Sequence, residues 1–311
     1  MRARQLAAFV SLCLLLMTWG WARAASPVSV WIALAESSTA HVEAAESLRA
    51  EVDRALPGRV EWRIAPWAQF AASDREPAIV VAVGAAAYRG MLELAWRDSP
   101  PPLLAILVPR TTFERAADPA RLRSGSQSAV FIDQPLGRHL DLIRLAMPDA
   151  RRVGVLFGAE SGAQIAALDK AARDKGLRIV GAEAESGRLY PALRQVLDEA
   201  DILLALPDPA VFNNQTAGNI LTAAYRRHVP LAGFSPSWAK AGALFALYST
   251  PAQVGARGAE AVRAALAGRP LPPPQSSREF VVAVNADVAR SLGLVLDEKD
   301  LVEQLRQRER P

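Results

Sequence analysis

Short runs of Val, Ile and Leu alternate along the chain with longer stretches whose apolar residues recur every three to four positions. That alternation predicts βαβ units wound around parallel sheets. A strand covered on both faces reads as a continuous apolar run, while its crossover helix shows a single apolar stripe. Strands are expected at Val28–Ala35, Val60–Ile64, Ala78–Val83, Leu103–Val108 and Ala129–Asp133, with helices over about Ala40–Ala55 and Ala85–Ala95.

The pattern then starts again. Arg152–Phe157, Arg178–Ala182, Asp201–Leu206, Val229–Phe234 and Gly242–Tyr248 read as strands, and Ser161–Lys175, Tyr190–Ala200 and Asn213–His228 as helices. Two such sets in one chain predict two doubly wound α/β lobes with parallel sheets, the boundary falling near Asp133–Arg138. Pro251–Gly268 follows as a helix with Ala256, Ala259 and Ala264 on one face, and the proline-rich stretch 269–275 as an exposed, non-helical connector. A strand at Phe280–Val284 and helices at Ala286–Leu292 and Glu298–Arg306 close the chain.

The first residues break this pattern. Met1-Arg-Ala-Arg precedes an apolar run from Leu6 to Trp21 and then Ala22-Arg23-Ala24, which predicts a secretory signal peptide over residues 1–24, cleaved after Ala24. An uncleaved anchor is the alternative, because about 16 apolar residues fall just short of a spanning helix. The only cysteine, Cys13, lies inside the run, so the mature chain is expected to form no disulfide. Leu12 before it argues against a lipid anchor. Losing Arg2, Arg4 and Arg23 leaves 33 basic residues of 36 against 32 acidic ones, so nucleic acid is not an expected partner. The expected location is the periplasm.

Five blocks in the second half are more specific. Asp133-Gln-Pro-Leu-Gly-Arg-His-Leu-Asp-Leu-Ile-Arg leads into Pro148-Asp-Ala-Arg-Arg-Val-Gly-Val-Leu-Phe, followed by Val229-Pro-Leu-Ala-Gly-Phe, Lys240-Ala-Gly-Ala-Leu and Val284-Asn-Ala-Asp-Val-Ala-Arg-Ser-Leu-Gly-Leu. Together they resemble the periplasmic substrate-binding proteins of ABC transporters, in the family associated with tryptophan and other aromatic amino acids. The resemblance implies a type I periplasmic-binding-protein fold: two lobes joined by three crossovers near Asp133, near Ser249 and just before Phe280. Lobe 1 would span 25–133 with about 250–278 returning to it, and lobe 2 would span 134–249 with about 279–306 returning. It also implies a small ligand, amino-acid-like or aromatic, held at the carboxyl ends of the strands, where helix N-termini offer free N–H groups. The implied partner is a membrane permease, or a membrane sensor if the closed form signals rather than delivers. A monomer is expected, without cofactor or metal.

Each candidate ligand residue has a plainer reading beside it. Gly84 and Ala85 follow a strand and open a helix, so their amides either take a ligand carboxylate or form an ordinary tight turn; the hydroxyl usual in the family is missing. Glu160 and Ser161 hold the equivalent place in the second lobe, with Ser161 a helix cap, a carboxylate donor or both. Asp208 aligns with an acidic residue expected to pair with a ligand amine, although Asp before Pro is also common in turns. Arg110 either grips a ligand carboxylate or is a surface side chain. Glu36, Ser37 and Ser38 line the cleft mouth or make a polar turn. Tyr248 stacks on a ligand ring or packs the hinge.

No enzyme is expected. Gly233-Phe-Ser235-Pro-Ser237 superficially resembles a nucleophile elbow, but Ser replaces its last Gly and Pro236 removes the amide that an oxyanion hole would use. Ser235 stays among the ligand candidates as a hydroxyl at a strand end. His41, His139 and His228 show no metal spacing and read as helix-face residues.

Overall fold

A computed structural model of the chain describes residues 27–71, 76–96, 99–184 and 188–309. The expected signal peptide and Cys13 lie outside the described residues. The first set of elements is β1 (Val28–Leu34), α1 (Thr39–Ala55), β2 (Val60–Pro66), β3 (Ile79–Val83), α2 (Ala85–Glu93), β4 (Leu103–Val108), α3 (Arg110–Ala116), α4 (Pro119–Ser124) and β5 (Gln127–Phe131). The second is α5 (Leu136–Ala146), β6 (Arg152–Phe157), α6 (Ile165–Asp174), β7 (Arg178–Glu183), α7 (Leu189–Glu199), β8 (Ile202–Leu204), α8 (Ala217–Arg226), β9 (Leu231–Gly233), α9 (Pro236–Ala241) and β10 (Phe245–Tyr248). After them come α10 (Pro251–Leu266), β11 (Gln275–Ser276), β12 (Val281–Val284), α11 (Ala286–Ser291) and α12 (Glu298–Arg308).

Both sheets have the same strand order. The first runs β11-β5-β4-β3-β1-β2 and the second β12-β10-β9-β8-β6-β7. Every described pair is parallel except β10 with β12, which is antiparallel, so the last strand departs from the all-parallel expectation. In each sheet the order reverses beside the first strand of its set, between β1 and β3 and between β6 and β8, and there the helices that follow leave a crevice at the carboxyl edge.

The central strands β3 and β4 are buried along their whole length, as their continuous apolar runs require. Strand β5 begins two residues earlier than the apolar pattern indicates. Its polar start is tolerated because buried Gln127 donates to the Tyr88 hydroxyl at 2.9 Å and Ser128 donates to the carbonyl of Pro272 at 2.5 Å. A buried polar group costs little when it is paired in this way.

Helix α10 lies side by side with α1, and its contact stripe differs from the expected one. Ala259 is buried, but Ala256 and Ala264 are only half-buried, and the close approach is made by Gly255 and Gly258. A Cβ on Gly255 would land on the carbonyl oxygen of Ala44, so only glycine lets the two helices approach this closely. The connector 269–275 is also not simply exposed. Leu271 is buried against the first core, and its amide donates to the carbonyl of Gly125 at 2.8 Å. Without internal hydrogen bonds, a proline-rich strand needs such outside partners to be fixed.

Candidate functional site

The loops after β1 and β3 meet at the crevice of the first sheet. Glu36 and Ser37 are exposed there. Ser38 Oγ lies 2.7 Å from His41 Nδ1, which is 3.6 Å from Glu36 Oε1. The His41 ring packs against Gly84: a Cβ there would come within 2.5 Å of Nε2 and 2.9 Å of the Ala35 side chain, and the backbone φ of +91° also favours glycine. His41 is therefore not a solvated helix-face residue. Burial lowers its pKa, against the opposing pull of Glu36.

The amide of Gly84 is already used, donating to the carbonyl of Ile106 at 2.9 Å, which takes it out of the expected carboxylate site. Ala85, the first residue of α2, stays half-exposed. Arg110 stands at the start of α3, its amide donating to Asp133 Oδ2 at 2.7 Å. Its guanidinium lies over the Phe131 ring, 4.3 Å from the centroid, and 3.3 Å from Glu114. Burial raises the pKa of Asp133, and the Arg110 amide partly offsets this.

The matching crevice of the second sheet is closed by Asp208. This carboxylate is 1 % exposed. Its Oδ2 accepts from the amides of Gly158 and Ser161, both at 3.0 Å, and from Ser161 Oγ at 2.7 Å, while Oδ1 accepts from the Ala210 amide at 3.0 Å. Asp208, expected to pair with a ligand amine, is instead turned onto its own backbone here, with three donors on Oδ2 and one on Oδ1. Ser161 turns the same way: the side chain is fully buried, makes no helix-capping bond, and bonds to Asp208 and the Gly158 amide. Glu160 is half-buried in the same turn.

A cavity of about 230 Å³ opens between the carboxyl edges of the two sheets. Pro109 lines it from the first sheet, and Ile132, Asp133 and Gln134 from the connection between sheets. From the second set come Leu136 and His139 of α5, Gln164 ahead of α6, Leu206 and Pro207 after β8, Phe234 and Ser235 after β9, and Leu247 of β10. Of the predicted ligand residues, Ser235 lines this cavity, its Oγ 2.7 Å from Ser237 Oγ. Glu36, Ser37, Gly84, Ala85, Arg110, Glu160, Ser161, Asp208 and Tyr248 are not among its lining residues. Tyr248 misses it by strand alternation: its neighbour Leu247 faces in, and Tyr248 is coupled to Glu298 of α12, which with burial raises its pKa.

Two lining residues were not among the ligand candidates: His139, read from the sequence as a helix-face residue, and Gln164. His139 is 3 % exposed, and its Nδ1 and Gln164 Nε2 are buried without a hydrogen-bond partner among the described residues. Burial, reinforced by neighbouring Arg138, pushes the His139 pKa down to about 4, so the imidazole is neutral. An unfolded chain takes up that proton near pH 6.5, whereas the folded one resists until about pH 4, so this stabilisation is present above 6.5 and lost as pH falls toward 4. Urea melts at about pH 7 and pH 4.5 should therefore show the wild type losing about 2 kcal/mol more than His139→Gln. Equal losses would refute the assignment.

Behind the cavity the three connections between the sheets share one buried network. Gln134 donates to Ser249 Oγ at 2.7 Å, and Ser249 donates to the carbonyl of Glu279 at 2.6 Å. Arg138, 6 % exposed, donates to Gln134 Oε1 at 2.6 Å and holds Glu309 by two bonds, at 2.5 and 2.8 Å. Its guanidinium lies 4.3 Å from the centroid of Phe280.

Two sheets of identical order, three connections between them and a cavity at their carboxyl edges define a type I periplasmic-binding-protein fold. Residues 129–307 match the family model described as ABC transporter substrate binding protein, and the chain belongs to that family, a solute-binding class. Among solved structures, the ligand-free, open form of a substrate binding protein with adhesive properties from Clostridium difficile is similar at 16 % identity and a TM-score of 0.71, covering 88 % of this chain and 97 % of that one. An ABC domain from Streptococcus pneumonia in complex with L-Trp is similar at 13 % identity and a TM-score of 0.63, covering 89 % and 98 %. A conserved domain protein from Vibrio cholerae has 18 % identity and a TM-score of 0.62, again over 89 % and 98 %. No curated protein matches the chain in sequence. Among the described residues no helix is long and apolar enough to cross a membrane.

Proposed function

We propose that the protein is the exported receptor of an ABC importer, a periplasmic monomer that closes on a small solute between its two lobes and presents it to a membrane permease. The observation that carries this reading is the cavity between the sheets, whose apolar walls include two residues, His139 and Gln164, that each hold a buried side-chain nitrogen without a hydrogen-bond partner among the described residues. A buried polar atom without a partner is costly, and a ligand that supplies one gains that energy on binding. Because the lining comes from both sheets, contact is fullest when the lobes are shut, so binding energy favours closure. A thermal-shift screen of small solutes, followed by small-angle scattering on each hit, tests this. Compaction on saturation is expected, and a saturating binder that leaves the radius of gyration unchanged would refute the clamp. A closed form that engages a sensor and not a permease would move the output from transport to signalling.

A further inference from the structure

We infer that the cleft takes an uncharged solute with an apolar body and one polar edge, and that Gln164 and His139 read that edge. This rests on the receptor reading above and narrows its ligand class. A zwitterionic amino acid needs an anion for its ammonium group and a cation or several amides for its carboxylate. Neither is offered. Asp208 is 1 % exposed, held by four internal donors and outside the cavity lining, and Glu36, with its side chain 68 % exposed, stands outside the cavity beside His41. Asp133 is the one charged residue lining the cavity. Its Oδ2 already holds the Arg110 amide, and burial favours its neutral form.

The cationic end of the site is equally vacant. No Lys or Arg lines the cavity. Arg110, the expected carboxylate holder, stands over the Phe131 ring and is paired with Glu114. A ligand carboxylate would meet Asp133 without a compensating charge, which a partly desolvated site penalises.

Beside Asp133, what the cavity offers is neutral. The Gln164 amide can donate to an oxygen, and a neutral imidazole can donate or accept according to its tautomer. Such a pair complements a hydroxyl, an amide or a lactam edge. Ile132, Leu206, Phe234 and Leu247 supply apolar surface around it. The volume of about 230 Å³ is below the 300–1,000 Å³ of drug-sized sites, which suits a solute with one or two small rings.

Calorimetry with two probe sets decides the matter: L-tryptophan and L-phenylalanine against the uncharged indole-3-acetamide, phenylacetamide and thymine. The expected result is binding of at least one uncharged probe and none of the amino acids, with Gln164→Leu and His139→Phe each weakening that binding at least tenfold. Gln164→Leu, at a half-buried position, carries the test if the His139 variant does not fold. Binding of the amino acids in preference to the uncharged probes would overturn this inference and leave the receptor reading standing. An uncharged probe that binds with Gln164→Leu unchanged would overturn the assignment of the polar edge. Silence from every probe would overturn the inference, while the receptor reading is decided separately by the wider solute screen and scattering.

Discussion

Replacing Asp208 with alanine should cost the fold about 4 kcal/mol and leave ligand selection largely untouched in the protein that still folds. The carboxylate accepts from three amides and one hydroxyl in a site that water does not reach, and its loss orphans all four donors together. Each orphan is worth about 1–3 kcal/mol, and the sum is reduced because the turn can relax. Denaturant melts measure the loss, and calorimetry on Asp208→Asn, which keeps the shape and one accepting oxygen, measures affinity. The reading of Asp208 as an amine partner predicts the opposite pair of results, a stable variant that has lost its ligand. A stability loss under about 1 kcal/mol would mean that the 158–161 turn does not depend on this carboxylate.

Glu309→Ala should destabilise by about 3 kcal/mol, because it leaves the Arg138 guanidinium buried with no counter-charge. Gln134 and the ring of Phe280 remain beside it, but neither is an anion. Pairing Glu309→Ala with Arg138→Met should restore part of the loss, since an apolar side chain has no charge to compensate. That double-mutant cycle separates the ion pair from simple fraying of α12. A single variant within about 0.5 kcal/mol of the wild type would show the pair to be dispensable.

The architecture was legible where burial is two-sided. Strands such as Leu103–Val108 are apolar from end to end, which sets them apart from the singly striped helices around them. The direction of β12 was not legible, because the alternation of side chains is the same for parallel and antiparallel pairing. Helices α3 and α4 are too short, at 7 and 6 residues, to show a helical period. The site was harder to read than the fold. Ser235 lines the cavity while Asp208 is turned onto its own backbone, and the sequence could not separate the two because an aspartate before proline looks the same whether it faces a ligand or its own backbone. His139 and Gln164 gave no signal, since a polar residue on a helix is ordinarily solvated and only the packed structure shows their nitrogens shut away.

The contact of α10 with α1, and of β11 with β5, bears on the order in which the chain can be assembled. The first sheet needs α10 to cover one face and Leu271 to reach Gly125, yet the whole second set of strands is synthesised in between. Closing that long excursion is an entropic cost that local helix formation cannot offset early, so the amino-terminal half waits, incomplete, on the carboxyl-terminal half. A nascent chain that ends before Pro251 leaves an apolar face bare, and so the two halves mature as one cooperative unit rather than in sequence.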